Sequence, residues 1–227
     1  MLDLGCGPGF TSFDLARVVG PTGSVITCDI STRFLAFLRS ERDRLALTQI
    51  EPSLGSVEDL DLPPGHLDGV YARWLSCWLP DPGAVLERVA RGVKRGGAVA
   101  IQDYFDWSAM KLVPECATFG PVMDGCMRSW QEGGGMIDVG ELIPGLAEHC
   151  GLAVEHLRPL ARIGCVGSME WRWLGGFFRS YLPKVVERSL LSADELEAFQ
   201  AEWDRRSGTG GSWVHTPTMV DVVLRKR

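Results

Sequence analysis

With 227 residues, 45% of them hydrophobic and 23% charged, the chain is long enough for one α/β domain with a sizeable core and a small cap, and too short for two independent domains. The net charge is −6, and residues 1–104 carry ten basic and thirteen acidic side chains against thirteen and sixteen in residues 105–227. Neither half offers the cationic surface that phosphates demand, so no nucleic acid is expected as a partner. No apolar run approaches the roughly 18 residues of a membrane span, so no membrane is expected either. The seven cysteines form no C-x-x-C pair, their number is odd, and no signal peptide precedes them. That usage implies reduced thiols, no zinc or other metal site, and a cytoplasmic location.

The chain opens on a short apolar strand, Leu2-Asp3-Leu4, that runs into Gly5-Cys6-Gly7-Pro8-Gly9. A helix is predicted over 11–19, and a second strand over 24–28 ends on Asp29. Such a strand, helix, strand unit can hold a nucleoside: the glycines bring the backbone close to a ligand, and the distal carboxylate can accept both hydroxyls of a ribose. A dinucleotide site is the natural competitor. It places a third small residue three positions after its second glycine, where this chain has Phe10. Here the glycines alternate instead, and Asp3 stands just before them, where an acid can hold an ammonium.

Ser31 can cap a helix over 32–45, followed by a poorly marked strand over 48–54 and the segment Gly55-Ser56-Val57-Glu58-Asp59-Leu60. Residues 67–73 read as a buried strand ending on Arg73. Pro80-Asp81-Pro82 opens a helix to about Val93, and Lys94-Arg95-Gly96-Gly97 turns into a strand over 98–102 that leads to Asp103 and Tyr104.

From Val113 to Trp130 the apolar spacing predicts one helix, interrupted at Pro121. Gly133-Gly134-Gly135 is a flexible break, residues 140–150 read as a helix ended by Gly151, and residues 152–160 and 218–224 as strands. Between those strands lies an insertion with five aromatics in eleven positions from Trp171 to Tyr181, followed by a capping box at Ser192 to Glu195. It reads as a lid with Gly208 to Gly211 as its hinge.

The block Leu2 to Gly9 with Asp29, and the later block Leu67 to Asp103, resemble the class I, Rossmann-like S-adenosylmethionine-dependent methyltransferases of the small-molecule type. The resemblance implies an α/β fold: a doubly wound, mostly parallel seven-stranded sheet in the order 3-2-1-4-5-7-6, with an antiparallel last strand and a helical cap. It implies S-adenosylmethionine as the cofactor, held by Asp3, Gly5, Cys6, Gly7, Asp29, Ile30, Ser56, Val57 and Arg73. Ser56 stands where the family commonly has an aspartate facing adenine, and serine accepts more weakly. The family usually carries one or two helices ahead of the first strand, whereas this sequence begins in it; the expectation is a truncated start or a more open site.

Residues 1–227 are thus expected to form a single methyltransferase domain, with cap insertions at 107–133 and 167–210. The expected reaction moves a methyl group to an oxygen, nitrogen or carbon of a small, partly apolar acceptor. Tyr104, Trp171, Trp173 and Phe177 are the expected acceptor lining, and His215, Asp103 and Tyr104 the candidate bases. A homodimer is compatible with this reading. The rival readings are a non-catalytic S-adenosylmethionine-binding protein and, against Phe10, an NAD(P)-binding oxidoreductase.

Overall fold

A computed structural model describes residues 1–227. Strand β1 (Leu2–Leu4) leads through the glycine loop into helix α1 (Phe10–Val19), β2 (Val25–Asp29), α2 (Thr32–Arg44) and β3 (Ile50–Leu54). Next come β4 (Leu67–Arg73), α3 (Pro82–Gly92), β5 (Val93–Asp106), β6 (Lys111–Val113), α4 (Phe119–Glu132) and α5 (Ile143–His149). The chain ends with β7 (Leu152–Leu160), β8 (Ile163–Cys165), α6 (Met169–Glu187), α7 (Ala193–Thr209), β9 (Trp213–His215) and β10 (Thr218–Lys226). No helix is long and apolar enough to cross a membrane.

The chain divides into two compact units. The first comprises 1–103, 140–158 and 220–227, and the second 104–139 and 159–219. A seven-stranded sheet runs β3-β2-β1-β4-β5-β10-β7, which is the order expected from sequence, mostly parallel with its last strands antiparallel. Burial in the first unit falls into two clusters. Leu35 and Leu38 of α2 pack with Phe13 and Ala16 of α1 against Val25 and Ile50. The larger cluster joins Val85, Leu86 and Val89 of α3 and Ile143 of α5 to Val70, Val99, Val222 and Leu224. Local chemistry sets the helix starts: Ser31 accepts from Phe34 N, and Asp81 accepts from Ala84 N with Pro82 in the first turn.

Three expectations need correction. The Lys94 to Gly97 segment is not a turn before a strand but part of β5 itself. Leu67 pairs with Val93 and Gly69 with Ala98, so the four residues bulge out where the register shifts. The helix expected from Val113 begins only at Phe119, with Pro121 in its first turn, where the missing N–H leaves no intrahelical bond unmade. Residues 111–113 are a strand instead. With β8 and β9 it forms a second, antiparallel sheet in the order β6-β9-β8 that the sequence reading lacked.

In the second unit α4, α6 and α7 pack on one another, and α6 also meets β8 and β9. The capping box is present: the Ser192 side chain accepts from Glu195 N, and the Glu195 carboxylate accepts from Ser192 N at 2.8 Å. Helix α7 continues to Thr209, so Gly208 is helical and only Gly210 and Gly211, at φ 71° and 74°, stand in the glycine conformation after it.

Candidate functional site

Register fixes where the site residues stand. Leu4 is aligned with Cys28 on one side and Ala72 on the other, so Gly5, Asp29 and Arg73 lie side by side at the carboxyl ends of β1, β2 and β4. That edge is where open α/β sheets bind ligands. Gly55 N donates to the Asp29 carbonyl at 3.1 Å and brings Ser56 to the same edge.

The loop after β1 depends on left-handed backbone. Gly7 has φ 55°, and a side chain there would meet nothing within 4 Å, so the space beside its backbone is open. Gly9, at φ 87°, is closed in by the core: an added Cβ would sit 2.7 Å from Leu38 Cγ and Cδ1. Gly9→Ala should therefore destabilise the protein by about 1–3 kcal/mol through strain and crowding, read from denaturant unfolding. A loss below about 0.5 kcal/mol would show that α2 gives way freely.

Asp29 organises the loop. Its Oδ2 accepts from Gly7 N and its Oδ1 from Ser31 N, each at 2.8 Å. The carboxylate is locked in plane, and each oxygen keeps a lone pair for a further donor. Ile30, beside it, is exposed. Asp3, one strand away, is buried, and Ser12 Oγ donates to its Oδ2 at 2.5 Å. Burial lifts the Asp3 carboxyl to about 6, opposed by the Ser12 hydrogen bond and by the Arg73 charge. Cys6 N donates to the Cys28 carbonyl, and burial pushes the Cys6 thiol up to about 12, leaving it protonated.

Arg73 lies over the Trp74 ring, 5.0 Å from its centroid. Trp74 adopts φ 52°, rare for a residue with a side chain, at the point where β4 ends. Ser56 uses its hydroxyl locally: it accepts from Glu58 N at 3.2 Å and caps the 3₁₀ turn Val57–Asp59, with Val57 buried. An adenine contact from Ser56 would have to share that oxygen.

The other candidates divide differently. Asp103 is buried, and its Oδ2 accepts from Ser76 N at 2.7 Å and Cys77 N at 3.3 Å, so it caps the turn after β4. The turn after β5 is capped by Asp106, whose Oδ1 accepts from Ala109 N. His215 lies in β9, paired with Lys111 and Ile163, and its Nδ1 donates to the Ala109 carbonyl at 3.0 Å. That bond selects the tautomer with a lone pair on Nε2. Asp103 and His215 belong to different units.

The aromatics fall into two groups, joined where Phe177 meets Phe178 edge-on at 5.6 Å. Tyr104 meets Trp107 edge-on at 5.0 Å, Trp107 meets Phe177 at 5.5 Å, and Phe177 stacks on Tyr181 at 5.2 Å. Trp130 joins this group, 4.8 Å from Tyr181. Trp171 belongs to the other, stacked on Trp203 at 4.3 Å. Trp173 is half-buried on α6. Thus Tyr104 and Phe177 are brought together, and Trp171 is not with them. The indole N–H of Trp107 is buried and finds no partner in the protein, which ordinarily costs about 1–3 kcal/mol. Sequence reasoning missed Ser12, Trp107, Trp130 and Tyr181, although the aromatic spacing of Trp107 from Tyr104 was a usable signal.

Residues 2–101 match the family described as "Methyltransferase domain". Nocamycin O-methyltransferase of Saccharothrix syringae is 29% identical over 164 residues, 72% of this chain and 51% of that protein. A demethylmenaquinone methyltransferase of Oceanobacillus iheyensis is 36% identical over 98 residues, 43% of this chain and 41% of its own length. The chain therefore spans about half the length of these relatives or less. A geranyl diphosphate C-methyltransferase from Streptomyces coelicolor, solved with S-adenosyl-L-homocysteine, shares the fold at 12% identity with a TM-score of 0.58, over 100% of this chain and 70% of that one. Residues 2–101, which hold the glycine loop, Asp29 and Arg73, are thus similar to methyltransferase domains, and the seven-stranded sheet has the fold of the solved methyltransferase.

Proposed function

We propose that the protein transfers the methyl group of S-adenosylmethionine to an oxygen, nitrogen or carbon of a small, partly apolar acceptor. The observation that carries this reading is the Asp29 carboxylate, fixed by two backbone N–H groups beside the open space at Gly7, with a lone pair left on each oxygen for a ribose hydroxyl. In this reading Asp3 faces the cofactor's ammonium and Arg73 its carboxylate, while Ile30, Ser56 and Val57 border adenine. Bound there, the cofactor supplies an electrophilic methyl on a sulfonium. The protein's own share is alignment and exclusion of water.

The proposed acceptor lining is Tyr104 and Phe177 with Trp107 between them, and residues 107–133 and 167–210 are the proposed cap insertions. The unsatisfied Trp107 donor favours an acceptor bearing oxygen or nitrogen. His215, with its Nε2 lone pair, is the base of choice if the acceptor must lose a proton. Asp103, tied to two amides, serves better as a support. Cysteine usage favours a cytoplasmic setting.

Asp29→Ala should weaken S-adenosylmethionine binding by about 1.5–3 kcal/mol, the range for hydrogen bonds to a charged group. Calorimetry with S-adenosylmethionine, S-adenosylhomocysteine and NAD on both proteins tests this. Unchanged affinity, or preference for NAD, would overturn the assignment.

A further inference from the structure

Helix α1 carries one buried polar side chain whose position its own helix does not explain. Ser12 is fully buried in the first turn of α1, yet it does not cap that helix, whose N-cap is Gly9 with no side-chain bond. Its hydroxyl donates to Asp3 Oδ2 at 2.5 Å, and Asp3 itself is only 2% exposed. Asp3 Oδ1 accepts no hydrogen bond from the protein. That oxygen is not sealed off from solvent, so a donor from a ligand can reach it.

We propose that Ser12 is a positioning residue for cofactor capture: by holding Oδ2 of Asp3 it fixes the carboxylate rotamer and leaves Oδ1 for the ammonium of the cofactor's amino-acid moiety. The inference rests on the reading of this edge as an S-adenosylmethionine site. Ser12 acts through Asp3 and touches no reacting atom. Asp3 also faces Arg73 and Tyr71 on β4, Asp29 on β2 and Cys6 in the loop. Among these surroundings the Ser12 hydrogen bond is the largest influence holding the carboxyl down against burial, ahead of Arg73, while Asp29 pushes it up. Without Ser12 the carboxyl takes its proton at higher pH. Ammonium capture, which needs the carboxylate, then fails at a higher pH as well.

The test compares the intact protein with Ser12→Ala and Ser12→Thr by calorimetric titration from about pH 5 to about pH 9. Two probes are used: S-adenosylhomocysteine, and 5′-methylthioadenosine, which keeps the nucleoside and sulfur but lacks the ammonium. Ser12→Ala should weaken S-adenosylhomocysteine binding about tenfold at neutral pH and leave 5′-methylthioadenosine within about twofold. Its acid limb for S-adenosylhomocysteine should move to higher pH, and Ser12→Thr, which keeps the hydroxyl, should restore both. Equal losses for the two probes, or an unmoved acid limb, would overturn the positioning role. Failure of the unsubstituted protein to bind either probe would instead overturn the cofactor reading beneath it. Should Ser12→Ala not fold, Ser12→Cys offers the same shape with a much weaker donor and is read the same way.

Discussion

Trp171→Ala is expected to destabilise the protein by about 3–5 kcal/mol, the range for removing a buried aromatic side chain from a packed core. Trp171 is 4% exposed, its ring lies 22° from parallel with that of Trp203, and its Nε1 donates to Ser207 Oγ at 2.9 Å. Truncation would leave a cavity the size of an indole. Collapse into it is hindered on the far side, because Trp203 is wedged against Gly175, where even a Cβ would lie 2.9 Å from its Nε1. Phe178 and Phe199 close the remaining contacts of Trp203, at 5.3 and 5.9 Å. Denaturant unfolding gives the loss directly. Trp171→Phe, which keeps a ring but not the donor, should recover part of it. A loss under about 1 kcal/mol, with acceptor turnover abolished, would place Trp171 at the acceptor instead of the core.

Most elements from β1 to α3 were legible because their signals are local: glycines spaced by two, an acid at a strand end, Ser31 and Asp81 before helices. The alternation of strands and helices pointed to an α/β sheet, the resemblance supplied its strand order, and that order stands in the structure. The second sheet did not show, since β6, β8 and β9 are three residues each, too short for any period, and are paired only through distant partners such as Leu112 with Val214. The helix expected from Val113 was a false extension of a true one: Cys116 and Ala117 fit the apolar spacing by chance ahead of Phe119. The aromatic run from Trp171 to Tyr181 was seen, but not its division. Helix geometry sends Trp171 and Phe178, seven apart, towards Trp203, and Phe177 and Tyr181, four apart, towards Trp107 and Trp130. Ser12 escaped because a serine in a first turn reads as a local cap, and only the fold reveals that its partner is Asp3.

Asp3→Asn should stabilise the unliganded protein by about 2–3 kcal/mol above pH 7 while weakening its hold on an ammonium-bearing ligand. The folded-state pKa is raised from 3.8 to about 6, with burial as the leading cause, so the folded protein prefers the protonated acid. That preference stabilises the fold fully below the unfolded value near pH 3.8. It is lost as pH rises to about 6, and above that the buried charge is carried at full cost. Asparagine keeps the shape and can still accept from Ser12 Oγ, but it never carries the charge. The two proteins should therefore have similar stability near pH 4 and diverge between about pH 4 and pH 6, the variant being the more stable on the alkaline side. Thermal unfolding across that range, with the two curves subtracted, measures the effect. A difference that does not change with pH would mean that folding leaves the Asp3 carboxyl at its ordinary value, so that its burial costs the fold nothing. The expected divergence, together with weakened S-adenosylhomocysteine binding, identifies Asp3 as a residue kept at the expense of stability for what it binds.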